Sequence, residues 1–127
     1  MAAAVGTATI VEEDFSGVKY VAWSWTGGSG ETTITGGTTA SFYTGKLIFC
    51  VTNPGTSDAP ADDYNVTILD KNDVDVLADG GLARATGTTE SILDASLGAC
   101  ANTQLELVVA DSGSSGAATG VVYLWIR

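Results

Sequence analysis

Histidine is absent from this chain, while proline and cysteine occur twice each and methionine once. Without an imidazole, every Ser–His and Cys–His mechanism of nucleophilic catalysis is excluded. No G-x-S-x-G turn is present to seat a serine nucleophile either. A zinc site lacks its ligands, because there is neither histidine nor a C-x-x-C pair. Two cysteines are too few for a disulfide scaffold. Cys50 sits in the apolar run KLIFCV, where a buried free thiol is the usual occupant and a bridge to Cys100 the alternative.

Basic residues are scarce as well. Five Lys and Arg stand against fifteen Asp and Glu, a formal net charge of −10. Lys19, Lys46, Lys71, Arg84 and Arg127 are scattered singly, which excludes the clustered phosphate contacts of nucleic-acid binding. Anionic membrane surfaces are disfavoured on the same ground. Such an acidic surface favours a partner with a basic patch. No apolar stretch approaches the length of a transmembrane helix. The start, MAAAVGTATIVEED, lacks the basic region of a secretory signal, so the chain is expected to be made in the cytoplasm and to stay there or leave inside something larger. Arg127 directly follows the last apolar run, so no docking tail is expected there. The glycine run TGGSGETT lacks the lysine and the strand-to-helix context of a phosphate loop.

What is present reads as β-structure. A length of 127 residues with 45% hydrophobic and 16% charged side chains suits one domain with an ordinary core. Apolar and β-branched runs are separated by clusters of Gly, Ser, Thr, Asn and Asp. Strands are expected over Val5–Glu13, Val18–Thr26, Glu31–Thr35, Lys46–Thr52, Tyr64–Leu69, Val74–Leu77, Gln104–Ala110 and Val121–Ile126. A helix is hard to place anywhere: Thr88–Gly98 has a Thr cap and some helical spacing but is short. Period two puts Val21, Trp23 and Trp25 on one face, opposite Tyr20, Ala22 and Ser24. Likewise Tyr64, Val66 and Ile68 share a face, as do Leu105, Leu107 and Val109. The run VVYLWIR is apolar at nearly every position, which suits a central strand or one whose outer face meets another chain. The expected fold is all-β: a single antiparallel β-sandwich, jelly-roll or immunoglobulin-like, over residues 5–127, preceded by a short arm at residues 1–4.

The stretch DYNVTILDKNDVDVLAD crowds carboxylates together, and Asp70, Asn72, Asp73 and Asp75 are weak candidates for a calcium loop. The stretch lacks the ligand order of an EF-hand. A hairpin accounts for it better, with DKND as the turn, because Asp and Asn bond local backbone and tolerate positive φ. Trp23 and Trp25 could form a sugar-stacking platform, but large aromatics dominate small β cores and at least one is expected to be buried. NVT at Asn65–Thr67 matches a glycosylation pattern but falls in an expected strand. No catalytic residue, cofactor site or firm metal ligand emerges.

From Tyr20 to Ile126 the order of features resembles a group of small virion proteins of tailed bacteriophages. The resembling pieces are YVAWSWTGGSGE, GKLIFCVTNPG, APADDYNVTILDKNDVDVLADG, TTE and LELVVADSGSSGAATGVVYLWI. In that group a proline-rich loop leads into a Y-[DN]-V-T strand, then a D-x-x-G-x-D-V-L hairpin, and a glycine-rich loop joins the last two strands. Asp73 stands here where that pattern has glycine. The resemblance implies a β-sandwich subunit of a phage particle located in the virion, not an enzyme, and in particular a head decoration or cement protein. A tail, connector or baseplate component, such as a host- or glycan-binding module, is the alternative. The implied partners are the major capsid protein and copies of the chain itself, as a dimer or trimer. Ala2, Val5, Val121, Tyr123 and Trp125 are the candidate interface residues, unless these runs fill the monomer's own core.

Overall fold

The computed structural model describes residues 6–27, 34–35, 37–55, 60, 64–85, 87–110 and 118–127. Its elements are β1 (Gly6–Phe15), β2 (Val18–Thr26), β3 (Ile34–Thr35), β4 (Tyr43–Pro54), β5 (Asn65–Leu69), β6 (Glu90–Leu93), a 3₁₀ turn (Asp94–Ser96), β7 (Ala99–Thr103), β8 (Glu106–Ala110) and β9 (Thr119–Ile126). The large sheet runs β3-β1-β2-β9-β4-β6, with β7 also on β4. Its pairings are antiparallel except for the short β1–β3 contact. The second layer is built on the β5–β8 pair. Irregular segments extend it on both sides: Leu107 N–H donates to Gly37 O, and Val76 N–H to Ile68 O, each through the backbone.

The β1–β2 hairpin closes in two residues, Ser16 (φ 53°) and Gly17 (φ 97°), a turn whose twist matches the flanking strands. From there alternation sorts the side chains. Val21, Trp23 and Trp25 of β2, and Val122, Leu124 and Ile126 of β9, point inward. They meet Tyr64, Val66 and Ile68 from and beside β5, and Leu105, Leu107 and Val109 from and beside β8. All three period-two faces read from the sequence are therefore core faces. Trp23 is fully buried, and its indole N–H donates to Gly37 O at 2.7 Å, tying the large sheet to the second layer. Gly120 lies opposite Trp25 in the ladder, and a Cβ there would meet the indole at 2.7 Å.

One expected strand needs correction, and two segments left unassigned prove to be strands. Val74–Leu77 is not a strand: one bridge, Leu69 to Asp75, follows the turn. The Asp75 carboxylate gathers the N–H groups of Ile68, Leu77 and Asp79 and curls the chain, with Ala78 and Asp79 at positive φ. Thr88–Gly98, too short for its helical spacing to place a helix, holds strand β6 and a single 3₁₀ turn. The edge of β4 recruits this segment, and Ile92 faces the core. Strand β7, in the unpatterned ACANT, was missed by periodicity; it continues along the same edge of β4 after the 3₁₀ interruption. Lys46 spans that break, its Nζ donating to the carbonyls of Leu47, Asp94 and Leu97. For Glu31–Thr35 the described part is Ile34–Thr35, and residues 1–5, hence the arm, lie outside the described residues.

The DKND turn forms as expected. Asp73 N–H donates to Asp70 O and Asp70 N–H to Val74 O, with Asp73 at φ 60°, the left-handed position after a type I turn. Replacing Asp73 by glycine, the residue of the resembling pattern, should raise stability by up to about 1 kcal/mol in urea unfolding, because glycine has no Cβ to strain there. Trp23→Phe should cost about 2–4 kcal/mol in the same assay, since it opens a void and removes the indole's bond to Gly37 O, leaving that carbonyl only the Leu107 N–H.

Candidate interaction surface

The outer face of the large sheet follows from the register. One row across it is Glu13, Tyr20, Trp125, Phe49 and Leu93. The next is Val11, Ala22, Tyr123, Val51 and Ser91. Tyr20, Phe49, Tyr123 and Trp125 are half-buried, leaving part of each ring to solvent. At the margins Val11, Phe15 and Leu93 are 50%, 55% and 63% exposed. The rings support one another: Trp125 lies 5.4 Å from Tyr20 and 5.5 Å from Phe49 between centroids, in tilted contacts. Tyr123 is near-parallel to both Tyr20 and Trp125, at 6.2 and 6.1 Å. Such pairs add to area burial. Burial raises the Tyr20 phenol, and Tyr123 and Glu13 raise it further, so it stays neutral.

Beyond the aromatic rows the same face turns polar. Thr9, Ser24, Thr26, Asn53 and Thr119 line an open groove of about 520 Å³, with Trp25 and Gly120 also in its wall. On β2, β9 and the outer positions Phe49, Val51 and Asn53 of β4, no outward side chain of these rows is charged. The acids sit at the margin, on β1.

Of the candidate interface residues, Val121, Tyr123 and Trp125 come together on this face, alternating with the buried Val122, Leu124 and Ile126. Ala2 and Val5 lie outside the described residues. Tyr20, Phe49, Phe15 and Leu93 were not among the candidates. Period two already placed Tyr20 opposite Trp23, whereas Phe49 was hidden by a register shift between Leu47 and Phe49 inside a continuous apolar run. Trp23 and Trp25 form no exposed platform, being 0% and 2% exposed.

The calcium candidates do not converge. Asp70 Oδ1 accepts the N–H groups of Asn72 and Val74, and both Asp75 oxygens accept backbone N–H groups. Among the described residues no three or more carboxylates or thiols gather. Cys50 and Cys100 are free and buried. Burial pushes the Cys50 thiol up to about 12 and raises that of Cys100. Among the described residues no helix is long and apolar enough to cross a membrane.

One carboxylate is structurally committed. Glu12, inward on β1, accepts the Tyr43 hydroxyl and the N–H groups of Ala40 (3.0 Å) and Ser41 (3.2 Å), pinning the 40–43 segment to the sheet. Burial by itself would raise its carboxyl, but these three donors outweigh it and hold the group below its ordinary value. Burial and the Glu12 charge together raise Tyr43. No family model matches the chain, and no curated protein or solved structure matches it significantly.

Because the folded Glu12 carboxyl is depressed, its stabilising contribution is present above the unfolded value, about 4.3, and is lost as pH falls through the folded value. Glu12→Gln should therefore lower the urea midpoint at pH 7, and its deficit relative to wild type should shrink below pH ~4.

Proposed function

We propose that this chain is a non-catalytic structural subunit of a tailed-bacteriophage virion, a decoration or cement protein that seats its outer sheet face against the major capsid protein and against copies of itself. The observation that carries this reading is the half-exposed aromatic face around Trp125, uncharged across three strands in a chain of net charge −10. An apolar, aromatic centre with polar and charged residues at its rim is the composition of a protein–protein interface core. The pieces that carry the phage resemblance support it: YVAWSWT is β2, GKLIFCVTNP lies in β4 and GVVYLWI in β9, the three strands that make this face. A cement protein needs no reaction centre. It acts through interfaces repeated in many copies, where avidity multiplies modest contacts.

The hydroxyl-lined groove beside the rings favours a second reading, a tail or baseplate module that binds a host glycan. In that case Tyr123, in the row next to the groove, would be the ring that stacks on the sugar, not the buried tryptophans. Localisation in an electron-microscopy map of the particle separates the two, since cement covers the head and an adhesive module sits on the tail.

Light scattering on the purified chain should show a dimer or trimer that binds empty capsids. Trp125→Asp should keep the β circular-dichroism spectrum yet lose both self-association and capsid binding. A wild-type monomer that ignores empty capsids would overturn the cement reading.

A further inference from the structure

Strand β1 is the last long strand on its side of the large sheet, and among the described residues β3 pairs with its first two, Gly6 and Thr7, alone. Along Ala8–Phe15 no described backbone group pairs with its free side. In an antiparallel strand every second residue turns its N–H and C=O away from the partner, so this run presents donors and acceptors outward that are unpaired among the described residues. Such an edge is a template for an added strand.

The side chains around the edge select its occupant. On the outer face Val11 and Phe15 are half exposed, so apolar side chains on an added strand would extend the aromatic face. On the inner side lies a notch of about 230 Å³, walled by Glu12, Asp14, Phe42 and Tyr43, with Glu13 at its rim. Lys19, level with Asp14 in the ladder, offsets one charge there. Phe42 is 62% exposed and offers a ring to a cation. Among the described residues the one ion pair is Arg84 with Glu90, far along the chain from these acids. A second copy is the wrong occupant. It would bring two Glu12–Glu13–Asp14 runs onto one edge, and like charges across strands destabilise pairing.

We infer that the β1 edge accepts an extended basic segment of a partner chain, in which lysine or arginine alternates with apolar side chains. The added strand pairs with Ala8–Phe15, sets its apolar side chains beside Val11 and Phe15, and reaches the acidic notch with its cations. This edge adjoins the outer face at Val11 and Phe15, but its backbone pairing and acidic notch lie outside that face, and the inference does not depend on the virion reading.

The test uses the full chain and a capped octapeptide of alternating lysine and valine. Titration calorimetry should detect binding, and amide exchange should slow within Ala8–Phe15. A peptide with glutamate in place of lysine, and one with prolines at the hydrogen-bonding positions, should both fail to bind. Glu13→Lys combined with Asp14→Lys should weaken the lysine peptide at least about tenfold, with circular dichroism confirming the fold. If that variant does not fold, the glutamate and proline peptides decide. Absence of binding, equal binding of either control peptide, or protection confined to another strand overturns the inference.

Discussion

The indole of Trp25 lies so close to Gly120 that no other residue fits beneath it without displacing the ring. This contact sits at one end of the β2–β9 ladder and helps set its register. A slip of one residue would turn Tyr123 and Trp125 into the core and expel Val122, Leu124 and Ile126. Because β9 pairs with β4 on its other side, the same register carries across the sheet to Phe49 and Val51. Core and outer face are thus two readings of one alternation, and neither can be altered alone.

Much of the fold was legible because that alternation is strong where burial is one-sided. The limits of β2 match the sequence reading, and the inward faces of β2, β5 and β8 were named residue by residue. Legibility failed where side chains or edges overrode local pattern. Asp75 folds its own neighbourhood around its carboxylate, so VDVL, which alternates well, does not extend. The segment from Glu90 to Thr103 has little hydrophobic rhythm. It is a strand because β4 offers it an edge, and Lys46 closes the gap in the middle. Information of that kind resides in the partner strand, not in the segment itself.

The candidate surface was half legible. VVYLWI, apolar throughout, pointed to a strand with work on both faces, and Val121, Tyr123 and Trp125 stand together outward. What a single segment could not disclose is that Tyr20 and Phe49 come from strands far apart in sequence to flank Trp125. The acidic stretch drew attention as chemistry, yet the carboxylates of Asp70 and Asp75 serve the backbone of their own loops. Glu12, unremarkable in sequence, proved the more committed carboxylate, because its donors lie nearly thirty residues away.

The two thiols give the fold a pair of internal reporters. Both are protonated and buried at neutral pH, so neither reacts with a thiol reagent until its surroundings open. Cys50 lies in β4, paired on both sides, while Cys100 lies on the short β7 along the sheet's border. Their labelling rates therefore time two different events, loosening of the border strand and parting of the β4 ladders inside it.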